Sequence, residues 1–148
     1  MNVKYIIWLA IGVVLTVLFF IFRVPIHELF YYSTGFSNAA YNFSIYNYVS
    51  ILVIAVPWIM ALIYYYVINS VHFDRAIHWV AMWLLTIVLT PTLCVLWGNF
   101  TLNEVGKSYL PDMMQLGLVD MLLAAVMFVI ASFSIKWWSS NCRHTPFL

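Results

Sequence analysis

Long apolar runs separated by short polar stretches dominate the chain. Four of them, roughly Tyr5 to Phe22, Tyr48 to Ile68, Trp79 to Trp97 and Leu118 to Ile135, match the demand of a membrane-crossing helix. Such a helix needs about 20 mostly apolar residues to cross a hydrocarbon layer ~30 Å thick. The strict polar–apolar alternation of barrel strands is absent. The pattern therefore predicts an all-α integral membrane protein: a four-transmembrane-helix bundle in one domain, residues 1–148, with outer loops at about 23–47 and 98–117.

An even number of spans puts both termini on one side. That side would hold Lys4, Arg75, Lys136 and Arg143, against Arg23 and Lys107 on the other. The excess of Lys/Arg marks the cytoplasmic face, so the termini are expected in the cytoplasm and the chain in a bacterial inner membrane. Lys4 ahead of the first run gives it a signal-peptide look. The run is long for that purpose, no A-x-A pattern follows, and Arg23 closes it as at the end of a retained anchor.

Composition narrows the class further. Of 148 residues, 66% are hydrophobic and 7% charged, where a soluble domain carries about 25% charged residues. So much apolar surface excludes a soluble or disordered chain. The net charge of +1 leaves no dense basic face, which excludes direct nucleic-acid binding. Cys94 and Cys142 lack the C-x-x-C spacing of a redox or zinc motif.

Helix faces supply the next clues. Trp79, Trp83, Thr86, Thr90, Cys94 and Trp97 recur every three or four residues and define one face of the third span, with Thr90-Pro91 as an expected kink. Thr86, Thr90, Pro91 and Cys94 are thus a candidate pore or helix-packing face. Gly117, Ala124 and Ala131, seven residues apart, form a small-residue stripe that allows close approach within or between subunits. Gly12 and Thr16 make a small pair in the first span. The first outer loop is aromatic-rich, and Pro25 can open a short helix there. Its Phe30, Tyr31, Tyr32 and Phe36 are candidates for partner docking, or for a lid over the bundle.

Ionisable chemistry is sparse. No span carries a charge at its middle, where burial costs at least ~2.5–3.5 kcal/mol. Asp120 falls near the start of the fourth span, where it reads as a solvated helix-start acid or an acid at a pore mouth. His27 lies in the outer loop and His78 at the inner end of a span, on opposite surfaces, so a bis-histidine haem is not expected. His72, Asp74 and His78 read as interfacial residues rather than a metal site. No catalytic, cofactor-binding or metal-binding set is expected, and no enzymatic activity.

Two functional readings remain. The first is a homo-oligomeric membrane assembly that forms a pore or channel, or serves as the membrane subunit of a bacterial defence or toxin system with a soluble cytoplasmic partner. The second is a non-conducting immunity, exclusion or scaffold protein that binds a partner through its aromatic outer loop. A small-solute transporter has only the proline-bearing spans in its favour.

Overall fold

A computed structural model describes residues 2–106 and 108–146, and the described part is helical with no strand. The helices are α1 (Val3–Ile21), α2 (Arg23–Phe30), α3 (Thr34–Asn42), α4 (Ile45–Leu62), α5 (Ala76–Glu104) and α6 (Leu110–Ile135). Four helical stretches are long and apolar enough to cross a membrane: Val3–Ile21, Ile45–Ile68, Ala76–Glu104 and Leu110–Trp138. They coincide with the four apolar runs but extend beyond them, because polar residues join a helix wherever its backbone bonds continue. The loop-side cation Lys107 of the charge count lies outside the described residues.

Packing is centred on α6, which contacts α5, α4 and α1. Helices α4, α5 and α6 form a three-helix core, and α1 leans on α6 from outside. Only Gly12 of α1 is fully buried. Its missing side chain sets the approach: a Cβ there would lie 1.7 Å from Ser134 Oγ and 2.7 Å from Ser134 Cβ. Thr16, one turn on, accepts a hydrogen bond from Trp58 Nε1 of α4 at 3.2 Å. The Gly12 and Thr16 pair is thus where α1 meets the core.

Prolines do not break the core helices. α4 runs through Pro57 and α5 through Pro91. After Leu62 the helix widens into a π-helical stretch, Ile63–Ile68, which turns three successive tyrosines toward backbone carbonyls. Tyr64 donates to Phe73 O at 2.8 Å, Tyr65 to Thr145 O at 3.0 Å and Tyr66 to Ile135 O at 2.7 Å. Asn69 follows in the left-handed region, φ 32°. Its side chain accepts from Ser139 Oγ at 2.8 Å and Asn141 N at 3.0 Å. These bonds fasten the α4–α5 connection to the C-terminal segment. At the same end Tyr5 stacks on Trp137, ring centroids 5.7 Å apart, so the start of α1 and the end of α6 lie together.

The opposite end is capped by α2 and α3. A single residue, Phe22, separates α1 from α2, and α2 folds back against α4 and α6. From α3, Phe36 and Ala40 are buried beside Ile45, Val49, Leu102, Met113 and Leu116. Pro25 lies within α2, in the first turn, where its missing N–H costs no helical bond.

Gly12→Val should force α1 away from α6 and cost about 1–3 kcal/mol, the usual range for overpacking. Thermal unfolding in detergent would measure it. An unchanged midpoint would mean that α1 is not held where the structure puts it.

Candidate functional site

α6 begins at Leu110 rather than near Leu118, so Asp120 lies well inside the helix. Hydropathy places it at a solvated helix start; the structure corrects this, with Asp120 at 0% exposure. His27 is corrected likewise. It belongs to the short α2, not to an open loop, and is also 0% exposed. The two meet: His27 Nε2 lies 3.0 Å from Asp120 Oδ1. The second ring nitrogen, Nδ1, lies 2.6 Å from the carbonyl oxygen of Arg23, one turn earlier.

These contacts dictate the protons. A carbonyl only accepts, so Nδ1 carries hydrogen and donates to Arg23 O. One further proton lies between Nε2 and Oδ1, drawn either as imidazolium with carboxylate or as imidazole with carboxylic acid. Both forms are neutral as a unit. Removing that proton would leave a buried carboxylate facing a nitrogen lone pair, and adding another would leave a buried positive charge. Either change costs several kcal/mol in a buried interior.

The surroundings are partly polar. The ring of Tyr46 on α4 lies 5.7 Å from that of His27, and Phe19 on α1 lies 6.2 Å away on another side. Cys94 on α5 faces the same carboxylate and donates to Val49 O at 3.8 Å. Tyr46 Oη, Ser50 Oγ, Thr90 Oγ1 and Asp120 Oδ2 are buried with no hydrogen-bond partner. Ser50 follows Tyr46 by one turn of α4 and Thr90 precedes Cys94 by one turn of α5, whereas the Tyr46 hydroxyl faces Ser37 and Glu28. Unsatisfied groups at this density are the usual setting for ordered water.

A second polar contact supports the cap. Tyr31, just after α2, donates a hydrogen bond to Asp112 at the start of α6. That bond, more than partial burial, raises the Tyr31 phenol above its ordinary value, because the carboxylate holds the hydroxyl protonated. Asp112 is therefore tied to the cap by a specific donor.

The remaining candidates fall as follows. Thr86, Thr90, Pro91 and Cys94 are all buried inside the chain. Thr86 bonds Met82 O at 2.8 Å, while Thr90 has no partner. Trp97, at the far end of the same face, has drifted outward and is exposed. Gly117, Ala124 and Ala131 are buried as well. A Cβ on Gly117 would lie 2.7 Å from Val95 of α5, so this stripe packs within one chain. The aromatic loop divides. Phe36 is core and Tyr31 is half-buried, whereas Phe30 and Tyr32 are each 58% exposed.

His27 is the functional candidate that sequence reasoning missed. A histidine in a polar, proline-bearing segment resembles any loop histidine, and its partner lies 93 positions away. One signal was present: an acid inside an apolar run demands a counterpart, and few groups could supply one.

No protein-family model, no curated protein and no solved structure matches the chain. The fold and site thus define the class without a relative: an all-helical protein with four helices able to cross a membrane, built around a buried His–Asp pair.

Substitution can separate the bond from the charge. In Asp120→Asn the amide N–H can donate to Nε2 of neutral His27 while Nδ1 keeps Arg23 O, so a loss of about 1 kcal/mol is expected. Asp120→Leu leaves Nε2 of the neutral imidazole buried without a donor and should cost about 1–3 kcal/mol more. Unfolding midpoints of both variants in detergent provide the check; equal losses would contradict the shared-proton geometry.

Proposed function

We propose that the chain is a non-enzymatic integral membrane protein of a bacterial inner membrane, termini in the cytoplasm, that works as a non-conducting binding protein. The observation that carries this reading is the cap. Leu29, Phe30 and Tyr32 project from it at 80%, 58% and 58% exposure. They stand on a segment pinned from beneath by His27 and Tyr31. Exposed apolar side chains on a fixed base form a preorganised contact surface, and preorganisation reduces the ordering cost of binding. The surface has little charge, so the partner that fits it is an apolar or aromatic face of another membrane protein.

The placement of the polar face of α5 favours the same reading over a pore. Thr86, Thr90 and Cys94 are enclosed by the chain's own helices. The outward residues Leu84, Val88, Leu96, Leu118, Leu122 and Val126 are apolar, and the exposed Thr92 returns its hydroxyl to Val88 O at 2.7 Å. Such faces suit lipid or a neighbouring helix and offer no polar wall to a water-filled ring. The cytoplasmic termini follow from Lys4, Arg75, Lys136 and Arg143.

A photo-crosslinking side chain at Leu29, activated in native membranes, tests the docking role. A discrete protein adduct that disappears when Phe30 and Tyr32 become serine is the expected result. Adducts with lipid alone would contradict it, and an adduct of twice the chain's mass would instead support a homo-oligomer.

A further inference from the structure

A polar cleft lies beside the cap, between the start of α2 and the start of α4. It has a volume of about 290 Å³ and is lined by Arg23, Val24, Tyr41, Ser44, Tyr46 and Asn47. The clefts between the long helices are lined almost wholly by apolar side chains.

Arg23 is held in place here. Its Nε donates to Asn47 Oδ1 at 2.5 Å and its Nη1 to Phe20 O at 2.8 Å, and the guanidinium lies 4.6 Å from the Phe20 ring centre. Among the described residues Nη2 has no partner, and no carboxylate is paired with Arg23. Glu28, the acid on the same helix, faces the Tyr46 hydroxyl rather than the guanidinium. Opposite stands the N-terminus of α4, an 18-residue helix. Its leading amides, Ile45 and Tyr46, have no carbonyl acceptor, and Ser44, which precedes them, makes no side-chain capping bond. Tyr46 lines the cleft, is 1% exposed, and has no partner for its hydroxyl.

A fixed guanidinium with donors to spare, set beside the uncapped start of α4 and the hydroxyls of Ser44 and Tyr46, matches the needs of a phosphate group. The geometry points to this cleft as a phosphate-binding site, with the phosphodiester of a phospholipid headgroup or a free phosphate as its ligand. Arg23 comes directly after α1, which places the cleft at headgroup level. That choice of source rests on the membrane-spanning reading above, whereas recognition of phosphate does not.

The test uses the full chain, purified in detergent and stripped of lipid, with dioleoylphosphatidylglycerol, dioleoylglycerol and inorganic phosphate as probes. Native mass spectrometry should show retained phospholipid adducts and none with dioleoylglycerol, which has the same tails without phosphate. Arg23→Gln should weaken the adduct at least tenfold and Arg23→Lys less. If Arg23→Gln does not fold, Ser44→Ala decides, because it leaves both Arg23 bonds intact and should still weaken binding severalfold. A thermal shift with inorganic phosphate and no preference for the phospholipid would assign a free phosphate. Equal binding of both lipids without that shift, or unchanged binding in Arg23→Gln or Ser44→Ala, would overturn the site. Failure of the chain to insert into vesicles would sink the membrane reading and the lipid source, while the inorganic-phosphate arm would still decide the cleft.

Discussion

The hydrogen bond between His27 and Asp120 holds the cap to the bundle. Helix α2 has eight residues, fewer than the ~12–15 at which an isolated helix becomes even marginal in water. Its one fully buried residue is His27. The helix therefore persists because it is docked, and the histidine docks it. Since imidazole and carboxyl share a proton and are neutral together, the bond can exist in an apolar interior where either group alone would be prohibitive. The direction of the chain after α1 and the outward face of Leu29 and Phe30 depend on this pair, together with Tyr31 on Asp112 and the burial of Phe36 and Ala40.

The two ends of the bundle solve the same problem differently. Polar groups that cannot reach water need partners within the protein. At the cap the solution is a pair of side-chain contacts from α2 and its edge to acids on α6. At the other end it is a set of bonds to backbone, with Tyr64, Tyr65 and Tyr66 reaching carbonyls and Asn69 gathering the C-terminal segment. Between the ends the core is mostly apolar, apart from the polar cluster around Asp120. The cap carries the chemically distinctive groups, and α3 adds buried Phe36, Ala39 and Ala40 to its hold on the bundle.

Much of the fold was legible in the chain because helix length and hydropathy are local properties. The four apolar runs became four long helices, and the Gly12 and Gly117 stripes marked places of close approach. Less legible was whatever depended on distant pairing. Asp120 looked like a helix-start acid because hydropathy does not show that α6 begins at Leu110. Thr86, Thr90 and Cys94 did share a face, but periodicity cannot say whether that face meets water or another helix, and here it meets α4 and α6. Phe36 and Phe30 were equivalent as aromatic loop residues, yet one fills the core and the other projects from it, a difference set by the turn between α2 and α3. The chemistry of the site was hidden most completely, because it requires a histidine and an aspartate from distant parts of the chain.

The most direct test of the account is hydrogen exchange of the backbone amides of residues 23–32 with the chain in lipid nanodiscs. Strong protection is expected there, with selective loss of it in Asp120→Leu while α4, α5 and α6 stay protected. Exchange as fast as in an unstructured peptide, or protection unaltered by that substitution, would show that the His27–Asp120 bond does not hold the cap.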